Sequence, residues 1–196
     1  MKRNQKRLLD TRTMVIVAAL IALHIVLSRY LGIQVSPSLR LGVESIPIAL
    51  AGLWLGPFAG ALVALLSDFL GTVILGYGVW FPPIALGPMF VAAACGCGAR
   101  YVFRSNLTEA RDTWKVIALA VVVGLVNELL VGTFTTTLYQ MIIVGKDGTF
   151  GVLAWANFLA RITTKPWFIA ICAVMIAFIH RAVYRPVISR IVRRAA

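Results

Sequence analysis

The basic residues of this chain are separated from its apolar ones, and this separation constrains its fold more than any other feature. Fourteen of the 19 Lys and Arg residues lie in three clusters, at residues 2–12, 100–115 and 181–194, and the long segments between them are apolar. With 60% hydrophobic residues and a mean hydropathy of +0.90, the 196-residue chain has more apolar surface than a soluble core of that size can bury. The sequence therefore predicts an integral membrane protein.

Membrane-spanning helices account for the length of the apolar segments. A bilayer core about 30 Å thick is crossed by roughly 20 helical residues, so the sequence predicts an all-α integral membrane fold with six transmembrane helices. Gly56-Pro57 interrupts the uncharged stretch 45–67, and because proline lacks a backbone donor, the break favours a hairpin of two helices. Segment 76–83 is rich in Gly, Pro and aromatic residues and predicts a loop. The expected spans, in a single domain covering 1–196, are residues 13–31, 42–55, 58–75, 84–103, 114–144 and 152–184.

The basic clusters also predict an orientation. Six crossings place both termini on one side of the bilayer, and that side carries all three clusters. The opposite side, including the borders of its loops, carries only Arg29, Arg40 and Lys146. Because Lys and Arg concentrate in cytoplasmic loops, we expect cytoplasmic N- and C-termini in a multi-pass protein of the cell membrane. The loops expected to face outward are residues 32–41, 76–83 and 145–151.

The basic character does not indicate nucleic acid binding. The net charge of +12 comes mainly from clusters that flank apolar spans, where Lys and Arg anchor helices to anionic lipid. The sequence has no Walker-type phosphate loop and no HExxH or GxSxG pattern, and its three cysteines lie in apolar runs. It therefore predicts no nucleic acid partner, no metal site, no cofactor, and no ATPase or other enzymatic site of its own.

Charged residues inside or beside the apolar runs are the candidates for ligand binding. A charge at the bilayer centre costs at least about 2.5–3.5 kcal/mol on insertion scales, so such residues need partners or water. On the predicted topology most of them gather toward the outer side, beneath the aromatic loop, and this predicts a polar cavity that opens outward. The candidate binding residues are Arg29, Arg40, Glu44, Asp68, Trp80, Phe81, Glu128, Arg161 and Lys165.

The predicted cavity combines charges of both signs with aromatic rings. Arg and Lys donate to carboxylates, Asp and Glu accept from N–H groups, and Trp and Phe stack on flat heterocycles. A small zwitterionic or anionic molecule with an aromatic ring fits this set. The alternative is that the charges pair with one another, for example Arg40 with Glu44. His24 is interpreted as a structural histidine, and Lys146 as a solvated turn residue.

Two small residues on the first span are a candidate contact for another helix. Ala18 and Ala22 are four positions apart and therefore share one helical face, which lets a second helix approach closely. The pattern fits packing within this chain as well as docking of a partner.

One run of residues resembles a known family. It reads LRLGVESIPIALAG at residues 39–52, and is followed by LGP at 55–57, GAL at 60–62, Asp68 with Gly71, and Phe81-Pro82. In order and spacing, these residues resemble the substrate-binding S-components of energy-coupling factor vitamin importers, and within them the folate-transporter-like group.

The resemblance implies a fold and a set of partners. It implies six transmembrane helices that bind a vitamin from outside and dock on a transmembrane coupling protein with two cytoplasmic ATPase subunits. It also implies that Ala18 and Ala22 form the docking face, and that Arg161 matches an arginine early in the family's last helix.

Two departures from the family pattern leave the vitamin open. Folate-type relatives have a Phe-Gly-Phe-like stretch where this chain has Val43-Glu44-Ser45, and a Phe-Pro-Gly-Phe-like stretch where it has Phe81-Pro82-Pro83-Ile84. Folate is the expected vitamin, because its carboxylates suit Arg and Lys and its pterin suits carboxylates and aromatic rings. The alternatives are another vitamin such as pantothenate, a membrane enzyme acting on lipids, or an assembly subunit.

Overall fold

Six helices dominate the part of the chain that the structure describes, in agreement with the predicted all-α class. A computed structural model describes residues 11–30, 32–36, 39–75, 80–103 and 112–184. In these residues the helices are α1 Thr11–Tyr30, α2 Ser45–Leu55, α3 Pro57–Leu75, α4 Pro82–Val102, α5 Thr113–Ile142 and α6 Phe150–Val183.

Length and composition make four of these helices candidates for crossing a membrane. Helices α3, α4, α5 and α6 are each long and apolar enough to cross a membrane. The apolar parts of α1 and α2 are shorter, at Thr13–Ser28 and Ser45–Leu55. The number of crossings and the side on which the termini lie stay predictions.

A short β-hairpin lies between α1 and α2, where the sequence analysis predicted an irregular loop. β1 (Ile33–Ser36) pairs antiparallel with β2 (Leu39–Leu41), and Gln34 lies opposite Arg40. The loop prediction was wrong for these residues. Apolar and polar residues alternate in both segments, which is the pattern of a strand with two different faces.

The break at Gly56-Pro57 separates α2 from α3, as predicted. Gly56 has a φ of 98°, which residues with a side chain rarely adopt. Pro57 occupies the first position of α3, where its missing N–H removes no helical hydrogen bond. Nη2 of Arg100, near the end of α4, donates to the Leu55 carbonyl at 2.9 Å and so ties α4 to this break.

Helix α4 begins at Pro82, two positions before the predicted span and inside the segment predicted as a loop. Pro82 and Pro83 suit a first helical turn, because the N–H groups of that turn have no partner within the helix. Residues 76–79 of the predicted loop lie outside the described residues.

Small residues bring α2, α3 and α4 into close contact. A Cβ added to Gly52 would overlap the carbonyl oxygen of Ala92. A Cβ on Gly60 would lie 2.8 Å from Gly52 Cα, and one on Gly96 would lie 2.5 Å from the Pro57 nitrogen. The helix backbones therefore touch directly, as they do in tightly packed membrane helix pairs.

Helix α5 contains a wider turn that the sequence analysis did not predict. The π turn Asn127–Val131 lies between the α-helical parts Thr113–Val126 and Gly132–Ile142. Such turns are rare and frequently occur at functional sites. This one carries Glu128, one of the predicted binding residues.

Candidate functional site

A cavity of about 800 Å³ lies among the helices, and all six of them contribute to its wall. The side chains of Arg29 and Arg40 lie outside the part of the structure that is described, so their ligand contacts stay predictions. The other predicted binding residues all line this cavity: Glu44, Asp68, Trp80, Phe81, Glu128, Arg161 and Lys165.

Three charged side chains meet in the cavity. Glu128 Oε2 on α5 lies 2.5 Å from Arg161 Nη1 and 3.1 Å from Lys165 Nζ, both on α6. Arg161 and Lys165 are buried, with 8% and 9% of their surface exposed. These residues, called the Glu128 cluster below, comprise one carboxylate and two cations. The two cations can form charge-assisted hydrogen bonds with a carboxylate of a ligand.

The helices hold the Glu128 cluster in place. Arg161 and Lys165 are four positions apart on α6 and therefore share a face. Arg161 Nη2 also donates to Oγ1 of Thr136, which lies on α5 beside the cluster, at 2.7 Å. A Cβ on Gly132 would lie 2.6 Å from Arg161 Nη1, so this glycine leaves the space that the guanidinium occupies.

Aromatic rings form a second part of the cavity wall, called the aromatic wall below and made of Trp80, Phe81 and Tyr139. Trp80 Nε1 donates to Asp68 Oδ2 at 3.1 Å, and the Trp80 ring packs edge-on against Phe69, with ring centroids 5.1 Å apart. The Phe81 and Tyr139 ring centroids lie 5.9 Å apart. Asp68 is therefore a carboxylate at the cavity wall that also orients an aromatic ring.

The sequence left open whether the buried charges pair with one another or bind a ligand. Glu128, Arg161 and Lys165 do pair, and the same side chains line the cavity. Pairing fixes their positions, and each of the two cations carries more than one donor. The two readings are therefore compatible at this site.

Several polar residues of α5 line the cavity and were missed by sequence reasoning. The adjacent polar residues at 135–136 and 139–140 are four positions apart, and residue 127 lies about two turns earlier, so all of them share one side of α5; this polar side was the signal in the sequence. The missed residues are Asn127, Thr135, Thr136, Tyr139 and Gln140.

Two residues that the sequence analysis did not count as binding residues also line the cavity. His24 makes the structural hydrogen bond expected of it, since its Nδ1 donates to the Glu44 carbonyl at 2.9 Å and so ties α1 to the start of α2. Lys146 is exposed, as predicted for a turn residue.

A buried polar network joins α5 to α6 next to the cavity. Asn157 Nδ2 on α6 donates to Thr137 Oγ1 at 3.0 Å and to Gln140 Oε1 at 2.9 Å, both on α5. All three residues are buried, and Gln140 also lines the cavity. Paired polar groups between apolar helices fix how one helix is rotated against the other.

The predicted docking residues lie on the surface of the described structure. Ala18 and Ala22 are both exposed on α1, whereas Leu20 and His24 of the same helix are buried. Within the described part of the chain, no helix buries either alanine, and their docking role stays a prediction.

Comparison with known proteins identifies relatives over most of the chain. Residues 8–181 match the model of a family described as ECF-type riboflavin transporter, S component. The folate transporter FolT of Clostridium novyi (strain NT) is 30% identical over 133 residues, which are 68% of this chain and 70% of the relative. The folate transporter FolT of Leuconostoc mesenteroides subsp. mesenteroides is 30% identical over 159 residues, which are 80% of this chain and 76% of the relative.

Two solved structures share the fold. A crystal structure of FolT bound with folic acid matches with a TM-score of 0.68 and 20% identity, covering 89% of this chain and 95% of that one. The S component of a bacterial ECF transporter matches with a TM-score of 0.51 and 18% identity, covering 90% and 94%.

The sequence match, the relatives and the fold agree on one family. That family makes the chain a transport component rather than an enzyme, and its apolar helices make it a multi-pass protein of the cell membrane. The family also implies an ECF module as partner and a small-molecule vitamin as ligand. The chain therefore belongs to the S components, the substrate-binding subunits, of ECF transporters.

Proposed function

We propose that this chain captures folate outside the cell and delivers it through a module of one transmembrane coupling protein and two ATPase subunits. The ATPase subunits hydrolyse ATP, and this chain has no ATPase site of its own. Both curated relatives are named folate transporters, which supports folate, whereas the description of the family model names riboflavin. Folate is therefore weighed below against riboflavin and pantothenate.

The Glu128 cluster beside the aromatic wall is the observation that carries the proposal. Folate has a glutamate end with two carboxylates and a flat pterin end with N–H groups. The two cations of the cluster suit a carboxylate, and the rings of Trp80 and Phe81 suit the pterin. Asp68 and Glu44 supply carboxylates that accept from N–H groups. A volume of about 800 Å³ also suits a ligand of this size.

The two other vitamins use only part of this site. Riboflavin has a flat ring system but no carboxylate to accept from the two cations of the Glu128 cluster. Pantothenate has a carboxylate but no aromatic ring, so the aromatic wall would have nothing to stack on. Folate engages both parts, and the geometry therefore favours it.

Helix α1 connects the proposed ligand site to the proposed partner. His24 and Ser28 line the cavity, while Ala18 and Ala22 are exposed on the same helix. A helix of the coupling protein that packs on the two alanines would lie one helix away from the ligand. The exposed position of both alanines supports this docking face.

Binding by the purified chain tests the proposed function. We expect folate to bind in calorimetry without ATP and without partner subunits, and to raise the thermal midpoint of unfolding. A ligand present at 100 times its Kd stabilises the folded state by about 2.7 kcal/mol. Binding of riboflavin or pantothenate in place of folate would contradict the choice of vitamin. If no vitamin binds, the proposal that this chain captures folate by itself is wrong.

A further inference from the structure

Both cations of the Glu128 cluster contact the same carboxylate oxygen. Oε2 of Glu128 lies 2.5 Å from Arg161 Nη1 and 3.1 Å from Lys165 Nζ, so the two α6 side chains converge on one atom. Charge-assisted hydrogen bonds of this kind are the contacts by which proteins bind carboxylates. A carboxylate of the chain itself therefore occupies the position that a ligand carboxylate would take between these two cations.

Glu128 is also the member of the cluster that is most accessible. Its side chain is 23% exposed, against 10% for the side chain of Arg161 and 11% for that of Lys165. All three side chains line the cavity. A ligand carboxylate that enters the cavity therefore competes with the Glu128 carboxylate for the same donors, and two carboxylates side by side would repel each other.

The arginine of the cluster is held more firmly than the glutamate. Arg161 Nη2 donates to Thr136 Oγ1 at 2.7 Å, and a Cβ on Gly132 would lie only 2.6 Å from Arg161 Nη1. The guanidinium is thus fixed on both sides by α5. A ligand carboxylate reaches Nη1 by taking the place of Glu128, whose flexible side chain borders a cavity of about 800 Å³.

We propose that Glu128 is an internal substitute for the ligand carboxylate, which displaces it from Arg161 and Lys165 on binding. This inference rests on the proposed function, because it uses the same cavity. It gives Glu128 a role opposite to that of Asp68 and Glu44, which accept from N–H groups of the ligand. Glu128 stabilises the protein without ligand, since buried cations need an acidic partner, and it lowers the affinity for anionic ligands.

Glu128→Gln tests the displacement, because glutamine keeps the length of the side chain and removes its charge. A neutral acceptor forms a weaker hydrogen bond with a cation than a carboxylate does, so the variant should bind folate roughly tenfold more tightly in calorimetry. The thermal midpoint without ligand should fall, because the two cations lose their acidic partner. The rise of the midpoint on adding folate should be larger than in the native chain.

The dimethyl ester of folate separates the carboxylates from the rest of the ligand. It keeps the pterin but carries no carboxylate charge, so it has nothing with which to displace Glu128. Its affinity for Glu128→Gln should stay within about threefold of its affinity for the native chain, and the ratio of folate to ester affinity should rise. A ratio equal to the native one would contradict the displacement.

Asp68→Asn is the matched control. It also removes one negative charge from the cavity wall, but Asp68 accepts from Trp80 Nε1 and forms no ion pair among the described residues. We expect this variant to bind folate more weakly than the native chain. Equal tightening in both variants would mean that the loss of any negative charge in the cavity favours folate, and the role of Glu128 would be wrong.

A structure of the native chain with folate tests the same point without a variant. A carboxylate of folate should lie between Arg161 and Lys165, with Glu128 Oε2 beyond hydrogen-bonding distance of both. A complex in which Glu128 keeps both contacts would overturn the displacement, even if Glu128→Gln does not fold.

Failure of the displacement differs from failure of the choice of vitamin. If the native chain binds folate and Glu128→Gln binds it no more tightly, the displacement is wrong while folate stands. If the native chain binds pantothenate instead, folate is wrong, and tighter binding of pantothenate but not of its alcohol analogue by Glu128→Gln still supports the displacement. A native chain that binds only riboflavin, which has no carboxylate, overturns both.

Discussion

At the scale of single residues, Arg161 carries the largest share of the site's chemistry. It is buried, contacts Glu128 and Thr136 through separate nitrogens, and supplies one of the two cations of the Glu128 cluster. Arg161→Ala leaves Glu128 paired with Lys165, so the variant should fold while its cluster loses one of its two cations. We expect folate affinity in calorimetry to fall roughly 10- to 100-fold, because hydrogen bonds to charged groups contribute about 1.5–3 kcal/mol.

The control for this prediction lies on the same helix. Arg181 is exposed near the end of α6 and does not line the cavity. Arg181→Ala changes the net charge of the chain equally, so it should leave folate affinity unchanged. Equal affinities for the Arg161 and Arg181 variants would show that the cluster does not contact the ligand.

At Asp68, one substitution can remove the negative charge while keeping the hydrogen bond to Trp80. In Asp68→Asn, the amide oxygen still accepts from Trp80 Nε1, so the aromatic wall should keep its arrangement. We expect folate to bind roughly tenfold more weakly, because a charged acceptor forms a hydrogen bond about twice as strong as a neutral one. Native affinity in this variant, with an unchanged thermal midpoint, would mean that Asp68 serves only to orient Trp80.

Single residues differed in how well the sequence predicted them. Glu128, Arg161 and Lys165 were predicted as site residues because an apolar helix tolerates few charges, and they do meet in the cavity. Asn127 was missed, because a neutral amide also occurs in ordinary helix packing. His24 was interpreted as structural, and its hydrogen bond to the Glu44 carbonyl agrees with that interpretation.

At the scale of helices, the packing of α2, α3 and α4 depends on glycine. Gly52→Ala places a methyl group against the carbonyl oxygen of Ala92, which is backbone and has no rotamer by which to move away. Overpacking of this kind costs typically about 1–3 kcal/mol. We expect the thermal midpoint of the ligand-free protein to fall.

Gly151→Ala is the matched control for this packing. A Cβ at Gly151, in the first turn of α6, meets nothing within 4 Å. The thermal midpoint should therefore stay at or slightly above the native value, since alanine favours the helix more than glycine does. The same midpoint for both alanine variants would contradict the close contact between α2 and α4.

Helix boundaries were predictable where the signal is local. Gly56-Pro57 ends one helix and starts the next, because the backbone chemistry of the two residues forces a break. The hairpin of β1 and β2 was missed, because its strands are short and a loop explains the same composition. The π turn of α5 has no local signature and forms as the helix packs against its neighbours.

At the scale of the whole molecule, ligand binding and partner docking should be separable. Ala18→Trp puts a large ring on the exposed face of α1, where the helix of a partner would need close approach. We expect folate uptake by cells that express the complete transporter to fail, while the purified variant binds folate with native affinity. The helix face and the cavity are distinct, so one function should be lost without the other.

Val174→Trp is the control, because Val174 is exposed on a different helix, α6. Its uptake should resemble that of the native chain. Full uptake with Ala18→Trp would mean that the partner docks elsewhere, and loss of folate binding in that variant would mean that α1 cannot accept the ring without disturbing the cavity.

The sequence by itself determined that the chain belongs in a membrane, that its core is built of helices, and where the helix hairpin of α2 and α3 breaks. These properties follow from hydropathy and backbone chemistry, which act between near neighbours in the chain. Tertiary structure decided which side chains meet. Glu128 and Arg161 are 33 positions apart, and Asp68 and Trp80 lie on opposite sides of a helix end. Their contacts depend on how each helix is rotated, and this rotation is set by close backbone packing between helices that are distant in sequence.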